Sequence, residues 1–85
     1  MKMQVIKDSV RRESGNYLLT FGRIDIACLF PPNLSISDLV FRFTRSGIIT
    51  SSTHFITEGN SITFVFPSKR KLNKFLKLVQ DYMNE

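Results

Sequence analysis

The sequence contains few of the residues that build covalent or metal-bound frameworks. Its 85 residues include one cysteine, Cys28, one histidine and no tryptophan, so a disulfide within the chain is excluded. No apolar run approaches the ~20 residues that a membrane-spanning helix requires, and no hydrophobic segment follows the first three residues. We therefore expect no membrane anchor and no secretory signal, and we expect a cytosolic or nuclear domain.

The sequence also offers no constellation for catalysis or for binding a metal. His54 has only Ser, Thr and Cys28 as conceivable company, which is typical of a surface or edge-strand residue. The carboxylates are scattered, without a pair at helix or strand spacing. They are Asp8, Glu13, Asp25, Asp38, Glu58, Asp81 and Glu85. Four glycines leave no glycine-rich phosphate loop, so we expect a non-enzymatic domain without metal or cofactor.

Size and charge limit what remains. A chain this short forms one domain, residues 1–85, and buries only about 60–65% of the surface that it exposes when unfolded. Residues 1–14 are expected to be a peripheral strand or to lie outside the module. The net charge of +5 favours encounter with an acidic partner, so nucleic acid is a candidate as well as protein.

The first third of the chain predicts β-structure. Residues 3–10 alternate weakly, and residues 11–16 are a polar, glycine-containing connection. Residues 17–30 are rich in aromatic and β-branched side chains, with Gly22-Arg23 as a tight turn between two strands. The run Pro31-Pro32-Asn33 ends the second strand, because proline cannot donate to a sheet ladder.

Two periods fit residues 35–47. Helical spacing gives an apolar stripe that Ser35 or Ser37 would cap: Ile36, Leu39, Val40 and Phe43. Alternating spacing puts Leu39, Phe41 and Phe43 on one face. Because the helix leaves Phe41 off the stripe, we favour a strand over residues 38–45 with a turn at Ser46-Gly47. A helix there would favour a wing-bearing or ferredoxin-like fold instead.

The remaining segments predict a hairpin and a closing helix. Residues 48–57 and 61–66 are β-rich and flank a glycine turn at 58–60. Pro67 ends the hairpin, and Ser68 caps a helix with an apolar stripe. The stripe consists of Leu72, Phe75, Leu76, Val79, Tyr82 and Met83. The expected fold class is α+β, an antiparallel sheet of five to six strands packed against one C-terminal helix.

From Gly15 to Met83, about four fifths of the chain, this order of segments resembles a polo box, the non-catalytic module of polo-like kinases. Polo boxes contain a strand that ends in a Leu-Phe pair. The segment GNYLLTFGRIDIACLFPPN is similar to it, with Leu29-Phe30 at the place of that pair. An aliphatic and aromatic strand matches DLVFRFTRSG, and a hairpin matches HFITEGNSITFVF. The closing basic–Leu–x–x–aromatic–Leu helix, ending near Tyr-Met, matches KRKLNKFLKLVQDYM.

Departures from the family pattern narrow the resemblance. Paired polo boxes grip phosphopeptides with a Trp and a His-x-Lys element, whereas this chain has no Trp and His54 lies in another context. The run Pro31-Pro32-Asn33 replaces the usual acidic turn. A single box of this size is most similar to the third, C-terminal polo box of the polo-like serine/threonine kinases that start centriole duplication.

That resemblance implies a scaffold role in a kinase. The expected partner is a helical, coiled-coil centriole-assembly protein, with localisation at the centrosome or centriole. Dimerisation and relief of kinase autoinhibition are also implied. No membrane partner is expected.

The closing helix carries the candidate binding residues. Its apolar arc spans roughly 160°, which is wider than contact with one sheet requires. Leu78 and Tyr82, at the edge of that arc, suit either the core or a partner surface. With neighbouring lysines they give the expected protein-binding set: Phe75, Leu78, Tyr82, Lys71 and Lys74.

The same helix begins with three cations, Lys69, Arg70 and Lys71, where its dipole makes each cost on the order of 0.3–1 kcal/mol. Solvent screening and the Ser68 cap account for them without a ligand. As functional groups they would steer an acidic partner helix or bind nucleic acid phosphates. Nucleic acid is the alternative function. The phenylalanines, most of them at inward positions, do not form a base-stacking platform.

Overall fold

The fold is an antiparallel sheet with helices packed on one face. A computed structural model of the chain describes residues 10–22, 26 and 34–83. In that part of the chain the elements are β1 (Val10–Glu13), β2 (Asn16–Phe21), α1 (Ile36–Arg45), β3 (His54–Glu58), β4 (Ser61–Phe66) and α2 (Lys69–Met83). The α+β class and the C-terminal helix are confirmed, whereas the described residues form four strands rather than five to six, and two helices rather than one.

The strands lie in the order β1-β2-β4-β3, and each neighbouring pair is antiparallel. The register places Phe64 of β4 between Leu19 of β2 and Phe55 of β3. Alternate residues of β4 are fully or almost fully buried, namely Ile62, Phe64 and Phe66. The helices therefore cover one face of the sheet, and β1 and β3 are its edges in the described chain.

The strand boundaries differ from the predicted ones because the turns are shorter. The expected connection at 11–16 is a two-residue turn, Ser14 and Gly15, whose φ angles of 54° and 83° suit a tight hairpin. Residues 11–13 therefore belong to β1. The β3–β4 hairpin is confirmed, with Gly59 at a φ of 58° in its turn.

Two expected strand segments are not strands. Ile26 is helical and its N–H donates to the Gly22 carbonyl at 3.0 Å, so a strand does not run through this position. The rest of that expected strand, with Arg23, Cys28, Leu29-Phe30 and the Pro31-Pro32-Asn33 stop, lies outside the described residues. Residues 48–53 form turns ahead of β3 because Ile48 and Ile49 donate to the Phe43 carbonyl at the end of α1.

The strand predicted over residues 38–45 is wrong, because this segment is α1. The Ser35 side-chain oxygen accepts the Asp38 N–H at 3.1 Å, which supplies the N-cap that the helical pattern required. Leu39 and Phe43 are fully buried, as a helical stripe predicts. Phe41 is 60% exposed, and the Arg45 guanidinium lies 5.6 Å from its ring centre, a contact that stabilises an exposed aromatic side chain.

The end of α1 and the start of α2 follow helix-capping rules. Gly47, at a φ of 80°, lets the chain leave α1 so that Ile48 turns back into the core. Ser68 caps α2 as predicted, since its hydroxyl accepts the Lys71 N–H at 3.3 Å. Four of the six residues predicted on the apolar stripe of α2 are buried, and Tyr82 and Met83 are partly buried. The four are Leu72, Phe75, Leu76 and Val79.

Loss of the α1 cap tests the helical assignment. We expect Ser35→Ala to lower the free energy of unfolding by about 1 kcal/mol, because the Asp38 N–H loses its acceptor. Ser37→Ala is the matched control, since Ser37 is exposed on the same helix and lies past the cap position. Urea denaturation of both variants measures the difference. Equal stabilities of the two variants would contradict the cap.

Candidate protein-binding groove

A groove of about 570 Å³ lies where α2 meets the start of β3 and the end of β4. We call it the α2 groove. It is bounded by the loop between α1 and β3, by His54 and Val65 on paired strands, and by the first three turns of α2. Most of its lining side chains are exposed, so it is an open surface feature rather than an enclosed cavity.

The floor of the α2 groove is apolar and part of the core. Ile48, Phe66 and Phe75 line it and are all buried. The Phe75 ring centre lies 5.1 Å from that of Phe66 and 4.6 Å from that of Phe64, within the range of favourable aromatic pairs. Because these rings are held on several sides, the floor is preformed.

Leu78 forms the apolar part of the groove that faces solvent. It is 36% exposed, whereas Phe75, one helical turn earlier, is 4% exposed. An exposed leucine above a buried phenylalanine leaves apolar surface that a ligand side chain would cover. Leu78 therefore supplies solvent-facing apolar surface to the groove, whereas Phe75 belongs to its buried floor.

One wall of the groove consists of hydroxyl groups in the loop before β3. The Thr50 N–H donates to the Thr53 side-chain oxygen at 2.9 Å, and the Thr53 N–H donates to the Thr50 carbonyl at 3.0 Å. The Thr50 and Ser52 hydroxyls lie 3.0 Å apart. These bonds satisfy the loop internally and hold its polar side chains along the groove.

The rim on α2 is positively charged. Lys71 and Lys74 are exposed and line the groove one turn apart. No Asp or Glu is among the described residues that line it. The ion pair between Arg11 and Glu13 is on β1, and neither lysine makes an ion pair within the described structure. The field at the rim is therefore uncompensated and attracts negative charge.

The structure brings together four of the five expected binding residues. Lys71, Lys74, Phe75 and Leu78 line one groove. Tyr82 does not line it, because its ring packs edge-on against Phe43 of α1 at 5.6 Å between centres. Lys69 and Arg70 are exposed but lie outside the lining, so the opening cluster of cations is divided between groove and solvent.

The sequence interpretation missed the opposite side of the groove. Ile48, Thr50 and His54 were assigned to a strand, although the strand begins at His54. The pairing of His54 with Val65 brings this loop to α2. No periodic signal in the sequence reports such a contact between distant segments.

Neither metal binding nor membrane insertion finds support in the described residues. No three His, Cys, Asp or Glu side chains in residues 10–22, 26 and 34–83 are grouped so that they could hold a metal ion. His54 is exposed on an edge strand, as expected. Neither α1 nor α2 is long and apolar enough to cross a bilayer.

Comparisons with known proteins leave the family open. No protein-family model, no curated protein and no solved structure matches the chain. No match identifies a polo box, and the helix Ile36–Arg45 takes the place of the central strand on which that resemblance depends, so the expectation stated for a helix here, a wing-bearing or ferredoxin-like fold, is preferred to a polo box. The geometry of the α2 groove is therefore the main basis for a functional proposal.

Truncations at Phe75 and Leu78 distinguish a buried core residue from a partly exposed residue that lines the groove. We expect Phe75→Ala to lower the free energy of unfolding by about 3–5 kcal/mol, because it removes a ring packed against three others. Leu78→Ala should cost about 1–2 kcal/mol, less than the truncation of Phe75, since about a third of the Leu78 side chain already faces solvent. Chemical denaturation of both variants measures these values. A Leu78 truncation as costly as that of Phe75 would place Leu78 in the core.

Proposed function

We propose that this domain is a non-catalytic protein-interaction module that binds an acidic, amphipathic helix of a partner in the α2 groove. One observation carries the proposal. The groove joins a preformed apolar floor to two lysines that make no ion pair with any described residue, and no carboxylate is among its described lining residues. A ligand that matches both features has apolar anchors beside negative charges.

The apolar half of the site suits side-chain anchors. A leucine or phenylalanine placed over Leu78 would be removed from water on contact with it and with the rings beneath. Burial of such a side chain contributes about 1.5–3 kcal/mol, and a few anchors of this kind dominate helix-in-groove interfaces. A helical ligand fits the groove because it presents apolar anchors at three- and four-residue spacing, which suits a groove that runs along α2.

The charged half of the site suits acidic residues next to those anchors. Lys71 and Lys74 lie on one rim, and the chain as a whole carries a net charge of +5. Such a field speeds encounter with an acidic segment and disfavours a basic one. The lysine stems also extend the apolar surface of the floor.

An open groove favours a macromolecular ligand over a small molecule. Small-molecule sites bury about 70–90% of their ligand, whereas here eight of the lining residues are exposed, Leu78, Lys71 and Lys74 among them. A partner protein can add contacts beyond the groove. A small molecule has no such additional surface.

The biological setting that we propose comes from the polo-box resemblance of the sequence alone, since α1 takes the place of that family's central strand. In that setting the module belongs to a polo-like serine/threonine kinase, and its ligand is a coiled-coil centriole-assembly protein. Binding would localise the kinase to the centriole and help relieve its autoinhibition. The groove proposal does not depend on this setting, because it rests on Leu78 and the two lysines.

A designed peptide tests the groove directly. The probe is a helical peptide with leucines at three- and four-residue steps and glutamates between them, and its counterpart has lysine at every glutamate position. We expect the acidic peptide to bind, with amide shifts in the NMR spectrum grouped around Leu78, and the basic peptide to bind at least about tenfold more weakly. Equal binding of both peptides would remove the charge argument.

Matched variants localise the binding. Leu78→Asp should remain folded by circular dichroism and lose about tenfold or more in affinity. The double variant Lys71→Glu with Lys74→Glu should also bind about tenfold more weakly. Its control is Arg70→Glu with Lys77→Glu, which makes the same change in net charge at exposed positions outside the groove. Equal losses in the two double variants would show a non-specific effect of charge.

A random oligonucleotide in the same assay tests the alternative function. Nucleic-acid binding through Lys69, Arg70 and Lys71 would weaken steeply with salt, in proportion to the number of phosphates neutralised. We expect only weak binding. Submicromolar oligonucleotide binding that Arg70→Glu with Lys74→Glu abolishes would favour the nucleic-acid function over the peptide groove.

A further inference from the structure

The two edges of the sheet differ in how they are protected from pairing with other strands. Proteins blunt exposed edges with charged residues, lysine above all, and with proline or bulges. The β1 edge has three charged residues among its four, Arg11, Arg12 and Glu13. The guanidinium of Arg12 also lies 4.9 Å from the ring centre of Tyr17. This edge is protected in the usual way.

The β3 edge has fewer of these devices, since its one Asp, Glu, Lys or Arg residue is Glu58, at the end of the strand. Its sequence, HFITE, contains no lysine, arginine or proline, and β4 is its one strand neighbour in the described chain. At the middle of this strand Ile56 is 61% exposed, the highest exposure among the described large apolar residues. A weakly protected edge with an exposed isoleucine at its centre is a template for another strand.

Ile56 is exposed because it lies on the face of the sheet that the helices do not cover, whereas Phe55 before it pairs with buried Phe64 on the helix face. The register places Ile56 opposite Thr63, and the Thr63 hydroxyl is hydrogen-bonded to that of Thr20 at 2.9 Å. Ile56 thus has a polar cross-strand neighbour on β4 and no apolar one directly opposite. A strand added at the β3 edge would give Ile56 an apolar cross-strand neighbour on the same face of the sheet.

We propose that a second copy of this chain pairs with β3 as an antiparallel strand, around a two-fold axis at Ile56. In this register Ile56 faces Ile56 of the second copy, and Phe55 faces Thr57. His54 faces Glu58, and the same contact occurs a second time by symmetry. The result is a continuous eight-stranded sheet built from two four-stranded ones. This inference does not rest on the α2 groove.

The residues of β3 are complementary to those of a second β3 in this register, but not in the registers shifted by one residue. All five residues are paired, and at both ends of the interface the His54 ring, which can donate a hydrogen bond, meets the Glu58 carboxylate. If the axis lies at Phe55 or at Thr57 instead, His54 and Glu58 no longer face one another and part of each strand is unpaired. Hydrogen-bonded and apolar cross-strand pairs are both stabilising.

The proposed interface is small, so the self-association is expected to be weak. A pair of five-residue strands buries well under the ~1,000 Å² typical of stable complexes. Self-association should therefore be visible at high protein concentration, or wherever a longer parent chain or a partner brings two copies together.

Cysteine cross-linking tests the register. In a Cys28→Ser background, Ile56→Cys places two thiols on facing residues, about 4.5–5.5 Å apart at their Cβ atoms, which a disulfide can bridge. Glu58→Cys is the matched control on the same face of the strand, but its two copies lie about 13 Å apart along the strands. We expect Ile56→Cys to cross-link at least about tenfold faster. Equal rates, or no cross-link at all, would overturn the proposal.

Sedimentation of the full chain with its native cysteine provides an independent test. We expect the unmodified protein to pass from monomer to dimer between micromolar and millimolar concentration, and Ile56→Lys to stay monomeric because two lysines would then face each other. Phe41→Lys is the control, since Phe41 is equally exposed but lies on α1, and it should dimerise normally. A protein that is monomeric throughout, or a dimer that Ile56→Lys leaves intact, would overturn the proposal.

Discussion

The packing of Phe75 on Phe64 is the contact on which the rest of this small fold depends. Phe64 lies in a central strand, with its ring centre 5.8 Å from Phe21 of β2 and 5.9 Å from Phe55 of β3. Phe75, 4.6 Å away on α2, also contacts Phe43 of α1. Three strands and both helices therefore meet at one pair of rings. A chain of 85 residues buries only about 60–65% of the surface that it exposes when unfolded, and the buried apolar residues in the described part of the chain form one cluster around these rings.

The sequence interpretation succeeded where local pattern and tertiary contacts favour the same structure. It failed at α1, whose Phe43 packs against Phe75. The hairpin, α2 and the Ser68 cap were predictable, because local pattern and tertiary contact favour the same structure there. Residues 38–45 satisfied two periods, and the strand was preferred so that Phe41 would be buried. The local signals for a helix were the Ser35 cap, Asp38 in the first turn and Arg45 in the last. Phe41 needs no burial, because Arg45 covers part of it.

The candidate site was predictable on α2 and unpredictable across from it. Lys71, Lys74 and Leu78 follow from helical geometry alone, and the structure places them together. Tyr82 and Leu78 both lie at the edge of the apolar arc, but only Leu78 lines the groove, because the Tyr82 ring packs against Phe43 of α1. The position of α1 depends on contacts between distant segments, and so does the loop that forms the far wall. Contacts between distant segments of the chain cannot be deduced from the periodicity of a single sequence.

The two proposed surfaces meet at His54, so they would not act independently. His54 lines the α2 groove and also begins the β3 edge. Pairing of two copies would bring Glu58 of the second copy to His54, and with it a negative charge to the border of a groove that otherwise has none among its described lining residues. That charge would weaken the attraction of Lys71 and Lys74 for an acidic segment. By linkage, an acidic ligand would weaken self-pairing by the same factor. Comparing peptide affinity between the cross-linked Ile56→Cys dimer and monomeric Ile56→Lys measures this coupling, and equal affinities would show that the two surfaces are separate.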